Sequence, residues 1–140
     1  MIEIYTDGAC LGNPGPGGWA WVRADGAHGS GGESPTTNQR MELTAVIEAL
    51  SSNPGEVVIV SDSTYVINCF KDRWWQKWQR TGWRNSKGEP VANSDLWRRL
   101  IPLVTEREPE VTFRWVKGHA GTPLNEAADQ LAQQEARLLR

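Results

Sequence analysis

The 140-residue chain reads as one α/β domain, a mixed sheet with helices on its faces. Three observations carry this reading. Ile2 to Thr6 and Trp19-Ala20-Trp21-Val22 read as strands flanking the turn Gly12-Asn13-Pro14-Gly15-Pro16-Gly17-Gly18; so short a connection implies an antiparallel pair. Val57-Val58-Ile59-Val60 is an unbroken apolar run, the pattern of a central strand in parallel pairing. Between and after these lie apolar stripes at helical spacing, Leu43, Val46, Ile47 and Leu50 first, then Leu124, Ala127, Ala128, Leu131 and Ala132.

In chain order, a third short strand is expected around Ala27 to Gly32, followed by a helix from about Asn38 to Ser51. After the apolar strand, a helix from Ser63 to Phe70 precedes a second helical piece, Trp74 to Arg80, and a polar loop to Asn93. Asp95 is placed to cap a helix from Leu96 to Glu106. Val111, Phe113 and Trp115 alternate as in a half-buried strand. The last helix has Thr122 at its N-cap and Pro123 at its first position. The order β-β-β-α-β-α-α-α-β-α gives five strands and shows neither an internal repeat nor a dividing linker.

Composition is that of a globular protein, 39% hydrophobic and 23% charged. No apolar run reaches the roughly 18 residues of a membrane span. The acidic, strand-like start Met1-Ile2-Glu3-Ile4-Tyr5 does not resemble a signal peptide. Cys10 and Cys69 have no metal-ligand or redox spacing, so two free thiols in a reducing cytoplasm is the expectation. Net charge is −2, yet Lys71 to Lys87 holds six cations against Asp72, a segment of +5 that leaves −7 for the rest. A basic, tryptophan-rich island on an acidic body suggests a phosphate-binding face beside a concentration of carboxylates.

Four acids stand out. Asp7 follows the first strand and Asp62 follows the apolar one, so the two would meet at neighbouring strand ends, where open α/β sheets place their sites. Glu42 and Asp129 border the apolar stripes of their helices rather than opposing them. Taken singly, each has a plain structural alternative: Asp62 a helix cap, Asp7 a turn residue, Glu42 and Asp129 solvated helical acids. Should they converge, carboxylates a few ångströms apart cannot all stay ionised without a cation. Magnesium, which prefers few carboxylates plus a substrate phosphate, suits phosphodiester cleavage. Two ions roughly 4 Å apart could activate a water and stabilise the leaving 3′-oxygen.

The motifs Thr6-Asp7-Gly8-Ala9-Cys10-Leu11-Gly12-Asn13-Pro14-Gly15, Thr37-Asn38-Gln39-Arg40-Met41-Glu42-Leu43, Ser61-Asp62-Ser63, Val116-Lys117-Gly118-His119-Ala120-Gly121 and Asn125-Glu126-Ala127-Ala128-Asp129-Gln130-Leu131-Ala132 together resemble type 1 ribonuclease H in order and spacing. The resemblance covers essentially the whole chain. It implies a ribonuclease H-like sheet of three antiparallel and then parallel strands, with helices on both faces. It also implies hydrolysis of the RNA strand of RNA–DNA hybrids, leaving 5′-phosphate and 3′-hydroxyl ends. Asp7, Glu42, Asp62 and Asp129 would be ligands to two Mg2+ ions, for which Mn2+ could substitute. His119 would be an auxiliary in proton transfer or product release, on a loop made flexible by Gly118 and Gly121. Asn13, Asn38 and Gln39 would face the hybrid's minor groove, and Thr37 a DNA phosphate.

Residues 71–93 resemble the basic protrusion, or handle, of many bacterial members, with Trp74, Lys77, Trp78 and Arg80 as candidate backbone contacts. Trp78 and Trp83 have a competing role in packing the handle together. Gly88, Glu89 and Ala92 stand where lysines are common, Gln79 and Thr81 where cations are, and Thr64 where a minor-groove glutamine is usual, so weaker hybrid contacts are expected. A monomer acting in the cytoplasm away from membranes completes the expectation. Two other readings remain: a resolvase- or integrase-type nuclease of the same broad fold, and a hybrid-binding module without catalysis. The GNPGPGG turn, the handle and the His119 loop argue against the first, the four acids against the second.

Overall fold

A computed structural model describes residues 1–140. Strands β1 (Ile2–Cys10), β2 (Gly15–Arg23), β3 (His28–Thr36), β4 (Val57–Ser61) and β5 (Val111–Trp115) form one sheet in the order β3-β2-β1-β4-β5. The β1–β2 and β2–β3 pairs are antiparallel, whereas β1–β4 and β4–β5 are parallel. The helices are α1 (Asn38–Ser52), α2 (Thr64–Lys71), α3 (Trp74–Thr81), α4 (Ser94–Thr105) and α5 (Pro123–Leu138). The expected strand arrangement and element order hold.

The three N-terminal strands are longer than their apolar cores suggest. In β3, glycines make room for aromatic rings across the sheet. Gly31 pairs with Trp19 and Gly29 with Trp21. A Cβ on either would lie 2.6 Å from Trp19 Cζ2 or 2.5 Å from Trp21 Nε1. Each indole therefore covers a bare backbone, which offsets the low strand propensity of glycine.

Helices cover both faces. On one, Leu43, Val46 and Ile47 of α1 join Ile4, Ile59, Val66, Trp97 and Leu100 in the main core. Burying each large aliphatic side chain there stabilises the fold by on the order of 1.5–3 kcal/mol. On the other, Ala128 of α5 packs against Tyr5, Val22 and Val60, with Leu124 and Leu131 at its edges.

One helix start differs from expectation. Asp95 does not cap α4. Asn93 holds that place with φ 60°, and Asp95 lies in the first turn, drawn to Arg40. Thr122 does precede Pro123 at the α5 N-cap, but its side chain makes no capping hydrogen bond.

Candidate active site

Asp7 lies inside β1, not beyond it. The strand keeps pairing with β2 as far as Cys10, opposite Gly17, while its pairing with β4 ends at Tyr5 and Val60. From Thr6 onward β1 and β4 diverge. Asp7 enters that gap from β1 and Asp62 from the end of β4, so a strand parting, rather than two strand ends, forms the site.

Gly8 admits the third acid. A Cβ there would stand 2.4 Å from the Glu42 amide nitrogen, so only glycine lets the first turns of α1 press against β1. Thr37 caps that helix, its hydroxyl accepting from the Arg40 amide at 3.2 Å. One oxygen from each of Asp7, Glu42 and Asp62 falls within 4.8 Å of the others. Asp129 comes from α5 and borders the same cleft, but is outside this three-oxygen set. The cleft, about 380 Å³, is also lined by Asn38, His119 and Gln133.

The electrostatics are those of a crowded anionic site. Burial, then the charge of Asp62, pushes the Asp7 carboxyl up to about 8. Burial and the charges of Asp7 and Asp62 hold Glu42 well above the usual carboxylate range. Asp62 is raised by burial, an effect partly countered by the Asn125 amide and His119 beside it. That amide nitrogen is buried near Asp62 yet makes no hydrogen bond of ordinary geometry. Glu42 Oε2 is likewise buried without a partner. Orphaned carboxylate oxygens are costly, and a hard divalent cation with oxygen ligands satisfies them. The donor set therefore fits the magnesium expected from the sequence.

His119 is exposed at the cleft, with φ 55°. Asn13 ties the β1–β2 turn to α1, its Oδ1 accepting from the Asn38 amide at 3.2 Å. Asn13, Asn38 and Gln39 are exposed, and Asn38 lines the cleft. In the handle, Lys77 and Arg80 are exposed, whereas Trp74 and Trp78 are half-buried. The Trp78 ring centre lies 5.5 Å from Trp97 and 5.6 Å from Trp83, which favours packing as its main role. Arg98 sits over the Trp83 ring at 4.6 Å and fastens the far end of the handle to α4. Sequence reasoning missed Gln133, which lines the cleft four residues after Asp129; the i, i+4 spacing was the available signal.

Residues 1–137 match the family described as RNase H. A ribonuclease H of Syntrophomonas wolfei is 56% identical over 138 residues, covering 94% of this chain and 93% of its own. Another, from Saccharopolyspora erythraea, is 52% identical, with 94% and 87% covered. Among solved structures, LC9-RNase H1, described as a type 1 RNase H with the type 2 active-site motif, superposes with a TM-score of 0.82 at 33% identity. That match spans 99% of this chain and 73% of the other. With its carboxylates gathered where the strands part and this likeness running end to end, the chain belongs to the ribonuclease H family, type 1, the hydrolases that cut the RNA strand of RNA–DNA hybrids.

Proposed function

We propose that cleavage proceeds with two divalent ions, Mg2+ in the natural reaction, held by Asp7, Glu42, Asp62 and Asp129. The observation that carries this reading is the buried, unpartnered Glu42 Oε2 beside two further carboxylates within 4.8 Å. When bound, such ions supply Lewis-acid polarisation of the scissile phosphodiester and neutralise charge that the carboxylates cannot shed. The chain's own residues do the rest. The four acids would hold the ions that receive the phosphate, and His119, exposed at the cleft edge, exchanges a proton with solvent and assists product departure.

Asn13, Asn38 and Gln39 face the minor groove, where 2′-hydroxyls separate RNA from DNA. Thr37 lies next to them and contacts a DNA phosphate. Lys77 and Arg80 hold the backbone from the handle, with the half-buried rims of Trp74 and Trp78 beside them. The protein acts as a single catalytic domain and a monomer in a reducing cytoplasm, a placement supported by two free cysteines.

The test is incubation with end-labelled hybrid, duplex DNA and single-stranded RNA, each with Mg2+ or with chelator. Mg2+-dependent internal cuts confined to the RNA of the hybrid, bearing 5′-phosphates, are expected. Equal cutting of duplex DNA, or cutting undiminished by chelator, would reject the reading.

A further inference from the structure

Asp129, Gln133 and Arg137 recur along α5 at four-residue intervals, which stacks them on one face beside the buried row Ala128, Ala132 and Ala136. Gln133 Nε2 donates to Asp129 Oδ2 at 3.0 Å, and Arg137 Nη2 donates to Gln133 Oε1 at 3.0 Å. The neighbours fix the amide's orientation. A guanidinium only donates, so the oxygen must face Arg137; a carboxylate only accepts, so the nitrogen must face Asp129. Gln133 is also part of the cleft wall, alongside Asp7, Glu42, Asp62 and His119.

Asp129 is the outlying acid of the site. It bears on Asp7 through a side-chain contact and through charge, and its Oδ2 is committed to Gln133. Its orientation is therefore set from within its own helix, by a residue outside the acidic set. We propose that Gln133 is a positioning residue: its amide, braced by Arg137, aims the Asp129 carboxylate into the cleft for a divalent cation. A neutral amide suits this task. It fixes the carboxylate's direction yet leaves the full negative charge for the ion, which a cationic side chain at the same place would partly neutralise. This rests on the reading of Asp129 as a metal ligand.

Partners that orient metal ligands typically change metal affinity or activity by 10–100-fold when removed. The experiment compares wild type, Gln133→Ala, Arg137→Ala, Asp129→Ala and the double variant Asp129→Ala/Gln133→Ala. Two quantities are read: the Mg2+ concentration for half-maximal cleavage, and calorimetric Mg2+ binding to the protein loaded with a non-hydrolysable hybrid. Gln133→Ala should shift both to about 10-fold higher Mg2+, with KM for the hybrid within about twofold, since no substrate contact is lost. Arg137→Ala should shift them in the same direction by less. In the Asp129→Ala background, removing Gln133 should change neither. A Gln133→Ala protein with unaltered Mg2+ dependence, or one whose shift persists without Asp129, overturns the positioning role. Should Asp129→Ala itself leave both readouts unmoved, the ligand reading falls and this inference with it. A responsive Asp129→Ala beside a silent Gln133→Ala sinks the inference alone.

Discussion

Arg40 and Asp95 join the first turns of α1 and α4 by two parallel hydrogen bonds, Nη1 to Oδ1 at 3.0 Å and Nη2 to Oδ2 at 2.7 Å. Arg40 Nη1 also reaches Asn93 Oδ1 at 3.4 Å, and Asn93 donates to the Tyr65 hydroxyl at 3.2 Å. The helix that presents Asn38, Gln39 and Glu42 is thereby braced against the segment where the handle returns to the body. The Asp95 side chain is 65% exposed, so the pair is worth at most about 1 kcal/mol. Asp95→Asn should accordingly lower Tm by no more than about 4 °C. Arg40 also holds the Asp95 carboxyl below its usual range, a contribution present above pH ~4 and lost as pH falls through the folded value. Thermal melts from pH 2 to 7 should show the variant's deficit vanish at the acid end; a constant deficit would mean that the charge on Asp95 is irrelevant.

Asp7→Asn should abolish cleavage, because the proposed metal site loses one of its charged oxygens, while the fold persists. The carboxyl is 4% exposed and repelled by its neighbours, so an isosteric amide relieves strain rather than creating it. Activity within tenfold of wild type, about 1.4 kcal/mol of barrier, would remove Asp7 from the machinery.

The same crowding predicts a pH dependence of stability without metal. Unfolded carboxyls ionise near pH 4, whereas Asp7, Glu42 and Asp62 are all raised in the folded state, Asp7 to about 8. Between these limits the folded protein binds more protons than the unfolded one. Its stability is therefore full below pH ~4 as far as these groups are concerned, and declines as pH rises toward 8. The chelated protein should melt lower at pH 8 than at pH 5. Mg2+ should restore Tm at pH 8 and change it little at pH 5, and Asp7→Asn should flatten the decline. A metal-free Tm that climbs over the same range contradicts the grouping of these acids.

Much of this site was legible in the sequence because its parts repeat simple periodicities. The Leu43, Val46, Ile47, Leu50 stripe fixed which side of α1 faces the sheet, and with it the side on which Glu42 emerges. Asp62 followed from the end of an apolar strand. What periodicity cannot show is pairing between distant residues. That β1 runs on past Asp7 depends on its partner Gly17, and that β3 is a full strand depends on Trp19 and Trp21 lying over Gly31 and Gly29. Asp95 has the composition of a cap; only Arg40, 55 residues earlier, draws it elsewhere.

His119→Ala should slow turnover by roughly 10²-fold without eliminating it, since a general acid–base group contributes about that much while the carboxylates and their ions remain. His119 is exposed, with φ 55°, so the substitution removes no buried contact and Tm should be nearly unchanged. Single-turnover and steady-state rates measured together distinguish the two roles proposed for it. A defect confined to steady state means product release; one present in both means proton transfer. A wholly inactive variant with intact structure would show that His119 is indispensable rather than auxiliary.

Exposed cations and packed rings lie within a few residues of each other in the handle. Lys77 and Arg80 are exposed, and neither makes an ion pair, so their charges are free for phosphates. Each phosphate contact releases counterions, with a slope near −0.9 in log K against log salt for B-DNA. Replacing both with alanine should raise KM for the hybrid and flatten the salt slope by up to about 2 units. The turnover number should hold, because such contacts bind ground and transition states alike. Trp78 should behave differently. Its ring is wedged among Trp74, Trp83 and Trp97 at 5.5–6.1 Å, so Trp78→Ala should cost on the order of 3 kcal/mol. It should lower Tm markedly, and it should raise KM only as far as the handle loosens. A Trp78→Ala protein that keeps its Tm yet loses affinity would make the ring a direct hybrid contact. A Lys77/Arg80 double variant with an unchanged salt slope would leave the +5 segment a solvated surface with no part in binding.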